Sequence, residues 1–174
     1  TLNQSKDKAL RLKITDALIQ AKHPKANLAV FKLLKDKQHA EVRETAFNAL
    51  QARAHLAIDP LQHVIDALAT GDLALGRLAL NALVLIAQQP QAPQHKRAEQ
   101  LLIHALQQHP QDEVQVLALH LLEGCYPADQ PKASLLALAS ANVFTQRAGL
   151  IRLYQRDLLT LPTVKPQVLR LQQH

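Results

Sequence analysis

Methionine and tryptophan are absent from this chain, and cysteine occurs once, as Cys125. A single thiol excludes an intrachain disulfide framework and any cysteine-built metal knuckle. It leaves the compartment open, because reducing and oxidising surroundings both tolerate a lone buried thiol. Glycine is limited to 4 residues and the aromatics to 3%, a balance that argues against a β-sandwich, a barrel or a collagen-like chain. No apolar run reaches the roughly 18 residues of a membrane span. The longest stripe, Leu78 to Ala87, is interrupted by Asn81. No signal peptide is expected, and a start at Thr1 in a chain without Met predicts a processed or truncated N-terminus.

What is abundant is helix former. Of 174 residues, 34 are Leu and 27 are Ala, and 48% of the chain is apolar. That predicts an all-α protein with material for a substantial core. The net charge of +6 is uneven. Residues 1–53 carry 11 Lys and Arg against 5 acids, whereas residues 54–174 balance. A basic N-terminal third of this kind steers acidic partners, membrane surfaces or nucleic acid.

The leucines and alanines recur in register. Ile14-Thr15-Asp16-Ala17-Leu18, Ala46-Phe47-Asn48-Ala49-Leu50, Ala79-Leu80-Asn81-Ala82-Leu83 and Ala118-Leu119-His120-Leu121-Leu122 align at spacings of 32, 33 and 39 residues. A degenerate fifth copy starts at Ala148. An additional apolar helix precedes each later copy, and a short polar break separates the two. Asp72, Asp112 and Asn142 in these breaks are candidate N-caps. Pro24, Pro60, Pro93 and Pro131 fall near helix starts, where the missing N–H costs little. The unit is therefore helix, turn, helix, link. Its first slot is small, so that neighbouring helices approach closely, and its last is a leucine that fills the layer between units. The boundaries are a cap helix at 5–22, pairs at about 23–54, 55–90, 91–126 and 127–158, and a C-terminal cap at 159–174, all in one domain.

Leu28 to Leu50, with its apolar first helix, acidic turn and Val42-Arg43-x-x-Ala46-x-x-Ala49-Leu50 second helix, resembles a HEAT repeat. The equivalents of Val42-Arg43 are Leu75-Gly76, Val114-Gln115 and Phe144-Thr145, which keep the apolar slot and lose the Arg. The resemblance extends over roughly Ala9 to Arg156. It implies a right-handed α-solenoid of about four HEAT-like repeats with an N-terminal capping helix. It also implies that the second helices line the concave surface.

No constellation for catalysis is present: no phosphate loop, no nucleophile elbow, no His-Glu-x-x-His. Ser5, Ser134 and Ser140 have no base beside them in sequence, and Cys125 sits at a helix C-terminus that disfavours a thiolate. Nine histidines are present, but none pair at i, i+4, so no metal or other cofactor is expected. The third slot of each copy is polar: Asp16, Asn48, Asn81 and His120. With Arg43, Arg77, Gln115 and Arg147 it forms either a strip that binds an extended or helical segment of a partner, or a set of bridges between adjacent second helices. Lys6, Lys8, Arg11, Lys13, Lys32 and Lys35 form a basic patch that either is a solvated face or contacts phosphate. The reading these features support is a non-catalytic protein-binding module: a scaffold, adaptor or assembly factor. The alternative is a nucleic-acid-binding repeat protein using the basic third. Partner identity, compartment and oligomeric state are not legible.

Overall fold

The structure is a computed structural model that describes residues 8–21, 24–34, 36, 39–52, 59 and 61–171. These residues form helices and the turns between them, with no strand among them. In chain order the helices are α1 (Lys8–Gln20), α2 (Pro24–Leu33), α3 (Ala40–Ala52), α4 (Gln62–Ala69), α5 (Leu73–Ala87), α6 (His95–Gln108), α7 (Asp112–Glu123), α8 (Lys132–Leu138), α9 (Val143–Gln155) and α10 (Lys165–Leu171). None is long and apolar enough to cross a membrane. The five aligned segments each lie in a helix, and α10 forms beyond them because Pro166 falls in its first turn and breaks no helical bond.

The chain divides into two compact units, Thr1–Ala79 and Leu80–His174, with the boundary inside α5. In the N-terminal unit α1 packs on α2 and α3, α2 on α3, and α3 on α4. In the C-terminal unit α6 packs on α7 and α8, α7 on α8 and α9, α8 on α9, and α10 on α8. Packing is therefore mostly between helices close in sequence.

The aligned slots explain which faces are buried. The first-slot alanines Ala46, Ala79 and Ala118 are fully buried, and the last-slot leucines Leu50, Leu83 and Leu122 are buried with them. The third slot faces solvent in all four copies. Each buried leucine removes apolar surface worth about 2–3 kcal/mol from water. At the fifth copy the close approach shifts by one residue. Gly149 is buried, and a Cβ placed on it would lie 2.9 Å from the Ala137 Cβ and 3.0 Å from the Ser134 carbonyl oxygen. Only a glycine lets α9 sit this deep on α8.

The turns share a local mechanism. Thr70 Oγ1, His109 Nδ1 and Ser140 Oγ each accept from the backbone N–H two residues on, at 3.2, 3.1 and 3.1 Å. The next helix is then capped by Asp72, which accepts from Leu75 N at 2.9 Å, and by Asn142, which accepts from Phe144 N at 2.8 Å. Asp112 does not cap α7 as expected. Gln111 stands at that position, and Asp112 is the first helical residue, where it accepts from Asn142 Nδ2 at 2.5 Å. The turn before α5 closes through Gly71, whose φ of 67° is easy only for glycine.

A small C-terminal core of Leu138, Leu153 and Val164 closes the end of the α8–α9 pair. Leu158, Leu161, Val168 and Leu171 pack against it.

Candidate functional site

The residues singled out in the sequence separate into two groups. Asn48, Arg77, Asn81, His120 and Arg147 are exposed on the second helices, and α1 presents Asp16 in the same way. Arg43 and Gln115, expected on the same strip, are instead turned into the fold. Lys13 and Lys32 are exposed, but Arg11, expected in the basic patch, is buried. Lys6 and Lys35 lie outside the described residues, as does the side chain of Lys8.

Arg11, Arg43 and Gln115 belong to two separate sets of bonds, one within each unit. Arg11 pairs with Asp36, their side chains only 7% and 2% exposed. Asp36 also accepts from His39 N at 3.0 Å, so one carboxylate holds both α1 and the turn before α3. Arg43 donates to the Asp36 carbonyl at 2.8 Å and pairs with Asp72 in the turn before α5. In the C-terminal unit Gln115 donates to the His109 carbonyl at 2.6 Å and accepts from Thr145 Oγ1 at 2.6 Å. Arg11, Arg43, Gln115 and Thr145 share one register position, three before the first slot. They tie a second helix to the next turn or helix of the chain. The residue at that position in α5 is Gly76, which has no side chain to do so.

Chemistry-bearing groups are similarly engaged. His63 is buried against Phe47, ring centroids 5.3 Å apart, and its Nε2 lies 2.5 Å from Gln51 Oε1. Burial holds its pKa down to about 4 against the upward pull of Asp66 and Asp59, so it is neutral and donates to Gln51. Burial also lowers the His109 pKa and raises that of the Cys125 thiol, which donates to the Leu121 carbonyl at 3.4 Å. Ser134 finds a carboxylate that sequence adjacency did not suggest, Glu123 at 3.3 Å, but it is fully buried. Tyr126 donates to Glu99 at 2.5 Å while Lys132 reaches the same oxygen at 2.8 Å and lies 4.2 Å from the tyrosine ring centroid. The bonds from Lys132 and Tyr126 keep the Glu99 pKa low, and burial pushes the Tyr126 hydroxyl upward. His23, His55, His174 and Ser5 lie outside the described residues. Among the described residues no three His, Cys, Asp or Glu side chains are placed to hold a metal ion.

Among the described residues, four of the exposed large apolar side chains are on α9, where sequence reading marked only Arg147. Val143, Phe144, Ile151 and Tyr154 are 72%, 65%, 46% and 74% exposed. Val143, Arg147, Ile151 and Tyr154 fall at i, i+4, i+8 and i+11, with Phe144 flanking, so they share one side of the helix. Exposed apolar residues scattered singly need no explanation, but a contiguous row does. The signal available in the sequence was the pair Val143-Phe144 at a helix start, which the apolar slot of the repeat absorbed.

A cleft of about 410 Å³ lies between α7 and α9, on the side of α9 turned away from this row, lined by His120, Leu121, Glu123, Tyr126, Arg152 and Arg156 among others. Glu123 lies 3.5 Å from Arg152 and 3.6 Å from Arg156. Arg152 lies 3.3 Å from His120 Nδ1, and Arg156 donates to the Ala128 carbonyl. Two guanidiniums face one carboxylate, so the cleft carries a net positive charge.

No protein-family model, curated protein or solved structure matches this chain.

Proposed function

We propose that the helix pairs are HEAT-like repeats of a right-handed α-solenoid, and that the protein is a non-catalytic protein-binding module acting as scaffold, adaptor or assembly factor. It engages its partner through the surface lined by the second helices. The observation that carries the reading is the apolar row of Val143, Phe144, Ile151 and Tyr154 on α9. A protein that left four large apolar groups in water on one helix face would gain from covering them, and a partner surface does so. Supporting it is the exposure of Asn48, Asn81 and His120 at one slot of successive second helices, while the first and last slots hold the core. Arg43 and Gln115 act in this reading as internal ties rather than contact residues.

A photo-crosslinking amino acid placed at Asn48, His120 or Ile151, and for comparison at Gln62 or Gln100 on first helices, tests it in the native cell extract. The expected result is one discrete protein adduct from the second-helix positions and none from the first-helix positions. Equal labelling from both sets, or adducts with nucleic acid in place of protein, would remove the reading.

A further inference from the structure

Arg152 and Arg156 lie one turn apart on the side of α9 that meets α7, and both are half-buried. A guanidinium has five N–H donors. Arg152 directs one to His120 Nδ1, and Arg156 directs one to the Ala128 carbonyl. Their shared carboxylate, Glu123, stands 3.5 and 3.6 Å away, so it balances charge without a good hydrogen bond to either. Glu123 also accepts from Ser134 Oγ at 3.3 Å. The carbonyls where α7 ends are already engaged. Leu121 accepts from Gly124 N and the Cys125 thiol, Leu122 from Cys125 N, and Glu123 from Tyr126 N. Among the described residues this place therefore has more donors than acceptors. Two like charges at i, i+4 on a helix also repel each other.

The cleft these groups line holds about 410 Å³, at the small end of ligand pockets. Leu121 and Tyr126 give it an apolar wall, and Gln88 and His120 add neutral polar groups. Because His120 Nδ1 accepts from Arg152, the neutral ring carries its proton on Nε2, which is one more donor. The Gln88 amide lies against Gly124, where a Cβ would sit 3.3 Å from its nitrogen. The charge of the lining sets the charge of what fits. Two guanidiniums against one carboxylate leave a single positive charge. One negative charge balances it, and a second would stand unpaired near Glu123.

We infer that the cleft between α7 and α9 is a binding site for a small organic monoanion whose body is about the size of one aromatic ring. Its charged oxygens accept from Arg152 and Arg156, whose forked N–H groups suit paired bonds to an oxyanion. Its apolar part rests on Leu121 and Tyr126, and His120 and Gln88 bond to any further acceptor. Once bound, the anion relieves the repulsion between the two guanidiniums. The site is on the side of α9 away from Val143, Phe144, Ile151 and Tyr154, so it stands apart from the protein-binding reading and does not depend on it.

The test is a titration of the full chain with benzoate at constant ionic strength, followed by proton–nitrogen NMR that includes the arginine Nε–H signals. Saturable shifts at Arg152, Arg156 and His120, with none at Arg147, are expected. Arg152→Gln should raise Kd about tenfold or more, and Arg147→Gln, which removes the same charge from the other side of α9, should leave it within about twofold. Arg152→Lys keeps the charge and the fold but loses the fork, and should weaken binding to a similar degree. Phenyl phosphate, largely dianionic at about pH 8, should bind less tightly than benzoate. Tighter binding of phenyl phosphate would overturn the monoanion. Absence of benzoate binding, with a lowered Tm in Arg152→Gln, would overturn the site and leave the two arginines as ties between α7 and α9. Shifts that spread to Lys13, Lys32 and Arg147 without saturating would overturn it too, as a general attraction of anions to a basic chain.

Discussion

The two units join their helices at the same register position with different chemistry. In the N-terminal unit the position is arginine, and Arg11 and Arg43 reach aspartates in turns 25 and 29 residues on. In the C-terminal unit it is Gln115 and Thr145, bonded to each other, with Asn142 and Asp112 alongside. An ion pair and an amide–hydroxyl pair thus perform one task, holding a second helix to the next turn or helix of the chain. Where the position carries a polar side chain, reach and hydrogen-bonding capacity matter rather than charge, and α5 does without the tie, at Gly76. The two solutions part ways when one partner is lost. A buried carboxylate left alone is far more costly than a buried hydroxyl left alone.

That contrast sets the expected order of effects. Arg11→Met leaves Asp36 buried without its guanidinium and should cost about 3–5 kcal/mol in urea denaturation, part of it recovered by adding Asp36→Asn. Gln115→Leu should cost about 1–3 kcal/mol, because it strands only neutral groups. Equal costs would show that charge contributes nothing special to the N-terminal unit.

Acid should act next, through His63 in the N-terminal unit and in the same direction through His109 in the C-terminal unit. In the folded chain His63 stays neutral to about pH 4, whereas in the unfolded chain it takes a proton near 6.5. Above pH 6.5 it has no pH-dependent effect. Stability should then fall as pH drops from 6.5 to about 4 and level off below that. Hydrogen exchange should show the loss of protection at α3 and α4, and His63→Gln should flatten that part of the profile. No comparable slope in α3 and α4 would mean that His63 is already charged or solvated.

Gly149→Ala addresses the C-terminal unit alone. The added methyl meets Ala137 and Ser134, so a loss of about 1–3 kcal/mol is expected, with α8 and α9 losing protection together. Thr145→Val should cost about 1 kcal/mol by removing the bond to Gln115, and nothing in the N-terminal unit should change. The smallest effect expected is a gain. Asp157 holds φ at 54° where α9 ends, with Leu158 N bonded to the Leu153 carbonyl at 2.9 Å. Asp157→Gly should therefore raise stability by about 0.5 kcal/mol on thermal melting.

The helical segments could be read in advance because a hairpin of helices is a local object. The alternation of small and large apolar slots, with proline and Asp or Asn at the breaks, specifies which residues point inward without reference to anything distant. Ala46, Leu83 and Leu122 are buried for that reason. The candidate strip was legible only in part. Asn48, Asn81 and His120 are exposed, as an off-core slot at helical spacing requires. Arg43 and Gln115 look equally polar in sequence, yet they face inward, because a buried polar group is tolerated wherever a partner waits. Those partners, Asp72 and Thr145, are 29 and 30 residues away.

The composition and the repeating slots already required an all-helical chain with these faces inside, because propensity and amphipathic period act within a few residues of each position. They could not say that Arg11 leaves the surface for Asp36, that Gly149 lets two helices meet, or that α9 leaves Phe144 and Tyr154 in water. Each of these depends on which distant surface arrives beside the residue. That is decided when the helices pack, since burial and pairing are properties of the neighbourhood rather than of the side chain.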